Sequence, residues 1–265
     1  MALANALALL LYLTCSAILI RHFFLRELSD AIVLPVSIMT VLALTFHGAD
    51  IFFTMKSAGG WDLSLLSMMT LVAWIMAFLA YAIGLRSKQA HPGMLIYPLV
   101  ALTLFLKACL PANQVQGLST PALEWHVLLS ISAYSLFTLA ALQAGVLAIQ
   151  EQQLHQRHVA GIMRKLPALQ TMEVSLFQLI IGGFILLTGG LITGFVFLDD
   201  IFIQHLAHKT ILSLIAWCVF AILLWGRWRH GWRGQTAIKW TLIGFLFLVL
   251  AYFGSKLVLE YILVR

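Results

Sequence analysis

The chemistry open to this 265-residue chain rests on its nine histidines. Neutral imidazole ligates iron, zinc and copper and titrates near physiological pH. Cys15, Cys109 and Cys218 lie too far apart for a CxxC redox or zinc pair, and inside or at the ends of apolar runs they read as small core residues. No HExxH and no thiolate or carboxylate pair joins the histidines in one motif, which argues against a structural zinc or a hydrolytic centre. No Ser, Cys or Lys nucleophile has an evident neighbouring base, so catalysis is not expected.

The elements that must position these histidines are apolar spans. The chain is 62% hydrophobic and only 10% charged, with mean hydropathy +0.98, against about 45–50% apolar and about 25% charged in soluble domains. The expected fold is therefore an all-α integral membrane protein, a bundle of about eight transmembrane helices forming a single polytopic membrane domain over residues 1–265. The spans run approximately Ala2–Ile20, Asp30–His47, Leu63–Leu85, Gly93–Leu110, Ala122–Gln150, Val174–Leu198, Thr210–Gly226 and Thr236–Ile262. In lipid every backbone polar group must be satisfied within the segment, and the alternation of a membrane β-strand is absent.

Charge sets the direction. The loops Arg21–Glu27, Arg86–Lys88, Glu151–Lys165 and Arg227–Lys239 carry eleven of the sixteen Lys and Arg residues, whereas Asp50, Asp62, Glu124, Asp199 and Asp200 fall on the other face. The positive-inside rule makes those four loops cytoplasmic and both termini periplasmic. The net charge of +6 is thus spent on orientation, and nucleic acid is not an expected partner. Arg233, in the basic hairpin between the last two spans, reads as a topological anchor and a contact to acidic headgroups, so that lysine should replace it at little cost.

Topology sorts the histidines. His22, His91, His155, His158 and His230 lie in or beside the basic loops, where solvation is expected, while His47, His126, His205 and His208 belong to the outer half. His47 closes the second span from inside and His126 opens the fifth from outside, which puts both just under the outer surface. Ionisable residues at such places mark functional sites or serve as hydrogen-bonded packing residues. Haem with histidine axial ligation needs only one or two imidazoles in an apolar pocket, and Phe46, Trp61, Trp125 and Tyr134 are at hand as walls. Trp61 and Trp125 also suit the interfacial aromatic belt without any ligand. Gly182, Gly183, Gly189, Gly190 and Gly194 crowd the sixth span, either for close helix packing or as the wall of a cavity.

The order of several segments resembles one family. LIAWCVFAILLWGRW followed by GWRG, IGF and YFG, with WDLSLLSMMTLVAW, WHVLLSISAYSLFTLAA and LLTGGLITG before them, is similar to the cytochrome c assembly superfamily of haem-handling membrane proteins (CcsA/CcmC-like), in its YpjD/HemX-like branch. The resemblance covers nearly the whole chain. It implies an eight-helix protein of the bacterial inner (plasma) membrane, with His126 matching the outer histidine that is an axial ligand to haem. The Trp-rich WWD platform is missing from FLDDIFIQHLAHKT, where Lys209 is the one clear match; no second outer histidine stands in LVLEYILVR; and Trp225 occupies a place where synthetase-type members carry histidine.

These departures speak against attachment of haem to apocytochrome c. The expectation is a haem-binding or haem-handling protein with an accessory, transport or regulatory role, not an enzyme. It binds b-type, non-covalent haem through His126 and His47 as axial candidates, with Trp125 and Trp61 beside them. Its partners are the lipid bilayer, haem and a further inner-membrane protein. Two alternatives stand beside it: a haem-free accessory subunit of another membrane complex, and an accessory to divalent metal-ion transport built on His205, His208, Asp199 and Asp200.

Overall fold

The structure is a computed structural model that describes residues 2–25, 30–85, 91–110, 120–156, 166–197, 207–254 and 257. The elements among the described residues are helices: α1 (Ala2–Leu25), α2 (Asp30–Ala58), α3 (Leu65–Gly84), α4 (Gly93–Cys109), α5 (Pro121–His155), α6 (Leu169–Phe197), α7 (Ala207–His230) and α8 (Gly234–Val249), the last ending in a π-helical turn over Leu250–Gly254. Seven of these helices are long and apolar enough to cross a membrane. The remaining one, α4, has 17 residues, at the short end of what spans a hydrocarbon core. The protein is thus an all-α integral membrane bundle.

Several helices run four or five residues past the expected span ends, and the largest departure, of about three turns, is in α2. His47 does not close the second span, because α2 continues through Asp50 and Lys56 to Ala58. Its ring therefore sits about three turns before the helix end. The polar residues past His47 stay helical because Asp50 is paired within the fold: its Oδ2 lies 2.7 Å from Lys107 Nζ on α4.

The chain divides into two compact units, Met1–Ser119 with Arg164–Pro167, and Thr120–Met163 with Ala168–Arg265. In the first, α1 packs between α2 and α4, and α3 packs against both of those. The α1/α4 pair is antiparallel: Asn5 Nδ2 donates to Leu104 O at 3.4 Å, and eleven residues later Ser16 Oγ donates to Met94 O at 3.1 Å. Met94 O needs that donor. Pro98, inside α4, has no N–H to offer the carbonyl four residues back. The α3 start is held by Asp62, whose two oxygens accept from Ser64 N and Ser67 Oγ, while Trp74 Nε1 on α3 donates to Leu44 O on α2 at 2.9 Å.

The second unit repeats the same cyclic order, α5 beside α6 and α8, and α7 beside α6 and α8. Its centre is the stacked pair Phe137 and Phe220, with centroids 4.0 Å apart. Two glycines flank the pair: a Cβ on Gly183 would stand 3.1 Å from the Phe137 ring, and one on Gly244 2.7 Å from Phe220. The glycines of α6 thus serve close packing, each facing a named α5 side chain: Gly182 on Leu136, Gly183 on Phe137, Gly189 on Leu129, Gly190 on Ser130 and Gly194 on His126. Small residues allow that approach where lipid gives no hydrophobic drive for helix association.

The α7–α8 hairpin is built rather than merely basic. Gly231 takes φ +67° and its N–H bonds Arg227 O at 3.2 Å, a left-handed helix cap. Gly234 takes φ +52° and donates to Glu173 Oε1 at 2.8 Å. Glu173, on α6 and 3% exposed, also accepts from Arg233 Nε at 3.1 Å. Arg233 therefore has a specific carboxylate partner, which corrects its reading as a pure headgroup anchor. Of the cysteines only Cys15 is buried, and Cys109 and Cys218 are on exposed helix surface.

Candidate functional site

His126 stands at the α5 end of the glycine row. α5 begins with Pro121 at its first position, where the missing N–H costs nothing, so the imidazole projects from the second turn onto α6. Its Nδ1 lies 2.9 Å from Gly190 O and 3.3 Å from Thr193 Oγ1. Gly190 O has no proton to give, so Nδ1 carries the hydrogen and donates. That fixes the tautomer and leaves Nε2 as a lone-pair donor, the arrangement of ligating histidines whose other nitrogen is held by a carbonyl. Gly194 completes the seat, since a Cβ there would come within 3.1 Å of His126 Cε1. The ring is half-buried. Trp125, next to it, is 63% exposed and faces outward from the helix start, as an interfacial residue does.

His47 is a different object. It is 0% exposed in the first unit, edge-on to Tyr12 with centroids 5.9 Å apart. Neither of its ring nitrogens makes a hydrogen bond of accepted geometry, although the Thr70 main chain faces it from α3. Trp61 lies in the wall of a small pocket of about 10 Å³ lined also by Thr54, Asp62, Thr70 and Lys107, and His47 is not part of that lining. That volume is about what a single buried water needs. His47 and Trp61 belong to the first unit, and His126 and Trp125 to the second.

His205, Asp199 and Asp200 lie outside the described residues, as does the side chain of His208. Among the described residues no group of three or more His, Cys, Asp or Glu is placed to hold a metal ion. His91, expected to be solvated, is instead packed: its Nδ1 accepts from Gly93 N at 3.0 Å, and its ring lies 6.0 Å from that of Tyr97. Burial pushes its pKa down to about 4.

Comparison with known proteins bears on what this geometry serves. The family described as cytochrome C assembly protein matches residues 3–263. The chain belongs to that family. It is similar to inner membrane protein YpjD of Escherichia coli (strain K12), at 31% identity over 228 residues that cover 85% of this chain and 86% of the relative. It is also similar to protein HemX of Brevibacillus brevis, 25% identical over 168 residues covering 62% and 61%. Cytochrome c biogenesis protein CcsA of Triticum aestivum matches over 83 residues at 34%, covering 31% of this chain and 26% of the relative. The cytochrome c assembly family is a haem-handling superfamily, and this member of it is a multi-pass protein of the inner membrane.

Haem was the cofactor suggested by the histidines, and the two candidate ligands can be tested against it. His126 fits: one tautomer is fixed, Nε2 is uncommitted, and glycines clear the ring edge. His47 fits poorly, because its ring is wholly enclosed by its own unit. The locked tautomer of His126 was not visible in sequence, since the carbonyl that locks it lies 64 residues away.

Proposed function

We infer that the protein binds b-type, non-covalent haem at the periplasmic end of α5 and α6 and hands it on or reports its presence, in an accessory, transport or regulatory role and not as an enzyme. The observation that carries this reading is the His126 Nδ1 to Gly190 O contact of 2.9 Å. In this role His126 supplies Nε2 to the iron, while donation to Gly190 O orients the ring and raises its basicity as a ligand. Thr193 Oγ1 gives the same N–H a second acceptor, and its own hydroxyl is held by Gly189 O at 2.9 Å. When bound, haem would supply a redox-active iron whose potential a histidine ligand adjusts.

His47, enclosed within its own unit, would reach haem only if it were uncovered. Haem titration of purified protein, followed by absorbance, tests the assignment. Wild type should show a saturable Soret change that His126→Ala weakens by more than the roughly 10–100-fold that loss of a ligand's own hydrogen-bond partner costs, while His208→Ala leaves it intact. A Soret shift in His47→Ala would place that residue on the iron. No saturable change in wild type would overturn the haem reading in favour of a haem-free accessory subunit packed against another inner-membrane protein.

A further inference from the structure

The first unit contains a line of polar side chains that its apolar composition does not require. It begins at His91, just ahead of α4. Tyr97 follows, its ring 6.0 Å from His91, then Tyr12 at 5.5 Å from Tyr97, then His47 at 5.9 Å from Tyr12. The line ends at Asp50 and Lys107, paired at 2.7 Å, with Thr54 Oγ1 3.0 Å from the same ammonium. From the start of α4 at Gly93 to Lys107 the track follows that helix for fourteen residues, about 21 Å at the helical rise, against the roughly 30 Å of a hydrocarbon core.

The middle of this line is uncommitted. Tyr12 Oη, Tyr97 Oη and both nitrogens of His47 are buried without a hydrogen bond of accepted geometry, and Tyr12, Tyr97 and His47 are each 0% exposed. Thr40 faces Tyr97 and the Thr70 main chain faces His47 without closing such a bond. Thr40 Oγ1 is instead directed to Cys15 Sγ at 3.7 Å. Buried polar groups in native proteins are otherwise satisfied by protein or water. Both ends are wetter. His91 is half-buried, and the small pocket beside Lys107, Thr54 and Thr70, about 10 Å³, has room for about one water.

We propose that His91, Tyr97, Tyr12, His47 and the Asp50–Lys107 pair form a proton path through the first unit, with water bridging the intervals between them. A hydroxyl accepts one proton while releasing another, and an imidazole with both nitrogens free takes a proton on one and gives it up from the other. His47 has that freedom; His126, held by Gly190 O, does not, and His91, whose Nδ1 accepts from Gly93 N, serves at the end of the path through Nε2 alone. One proton enters at one end and one leaves at the other, only O–H and N–H bonds are exchanged, and no group is oxidised or reduced. The groups facing His47 are Tyr12 from α1, the Thr70 main chain from α3 and Lys107 from α4, with Asp50 one turn further along its own helix. Intramembrane ionisable residues that line a polar pathway are the usual parts of proton relays.

The test uses the full chain reconstituted in phosphatidylcholine vesicles loaded with a pH-sensitive dye, with a valinomycin-clamped potassium gradient as the driving force. Wild type should acidify or alkalinise the lumen faster than empty vesicles, according to the sign of the potential. Tyr12→Phe and Tyr97→Phe keep the rings and remove the hydroxyls, so each should fold and fall to the empty-vesicle rate, as should His47→Gln. Tyr252→Phe, in the second unit, should conduct like wild type. Wild-type flux equal to that of empty vesicles, or Phe variants as fast as wild type, would overturn the path. Haem titration of Tyr12→Phe should match wild type, which separates this result from the fate of the haem assignment.

Discussion

At the scale of single residues, the same side chain does different things according to which of its nitrogens is engaged. His126 is pinned through Nδ1 and is suited to hold a metal; His47 is enclosed with both nitrogens open and is suited to exchange protons. His91 provides a third case. Its Nδ1 accepts from Gly93 N, a bond that exists only for the neutral ring, and burial holds its folded pKa near 4 against an ordinary 6.5. Between those values the unfolded chain binds more protons than the folded one, so stability rises with pH through that window. The His91 contribution is therefore intact at pH 7 and is progressively lost as pH falls from about 6.5 towards 4. Thermal melts of wild type and His91→Gln in detergent should show the wild type losing more stability than the variant between neutral pH and pH 5. Parallel losses in the two proteins would mean that His91 is not the group responsible.

At the scale of elements, glycine placement separates packing from mere flexibility. Gly183→Ala places a methyl 3.1 Å from three ring carbons of Phe137, and Phe137 cannot retreat because Phe220 is stacked on its other side at 4.0 Å. Overpacking of this kind costs about 1–3 kcal/mol. Gly145→Ala, in the same unit with nothing within 4 Å of the new methyl, should be neutral or slightly stabilising, since helix-interior glycine is about 0.5–1 kcal/mol worse than alanine. Melting temperatures of the two variants should move in opposite directions or differ clearly. The hairpin offers a second comparison. Glu173 accepts from both Arg233 and the Gly234 N–H, so Glu173→Ala removes two bonds and leaves a main-chain donor unmet. Arg233→Lys gives up only the planar contact of a side chain that is 53% exposed, an exchange that surface screening keeps within about 1 kcal/mol. A larger loss for Arg233→Lys than for Glu173→Ala would contradict this division.

At the scale of the whole molecule, two four-helix units with the same cyclic order hold the two histidines separately. The excess of basic residues in the four loops predicts the sidedness on which the haem reading depends. Reporter fusions after Lys88, Lys165 and Arg233 should report cytoplasm, and those after Gly59 and Asn113 the periplasm. A cytoplasmic signal after Gly59 would invert the map and move the His126 end of α5 to the inner side, where a periplasmic haem site is impossible.

Sequence alone determined that the chain is a helical membrane protein, where most spans begin, and which family its segments resemble, because the drive to enter a bilayer is summed locally over about twenty residues. It did not reveal that α2 runs on past His47, since Asp50 looked like a loop acid until Lys107 appeared beside it. Nor did it show which faces turn inward. In a membrane both the packed side and the lipid side of a helix are apolar, so the pattern that orients helices of soluble proteins is nearly erased. Only the tertiary structure brought Tyr12, Tyr97, His47 and His91 into one line from three helices and a loop, placed Glu173 under Arg233, and set the Gly190 carbonyl against His126. Those contacts join residues 6 to 85 positions apart, and their partners are chosen by packing geometry rather than by any local signal.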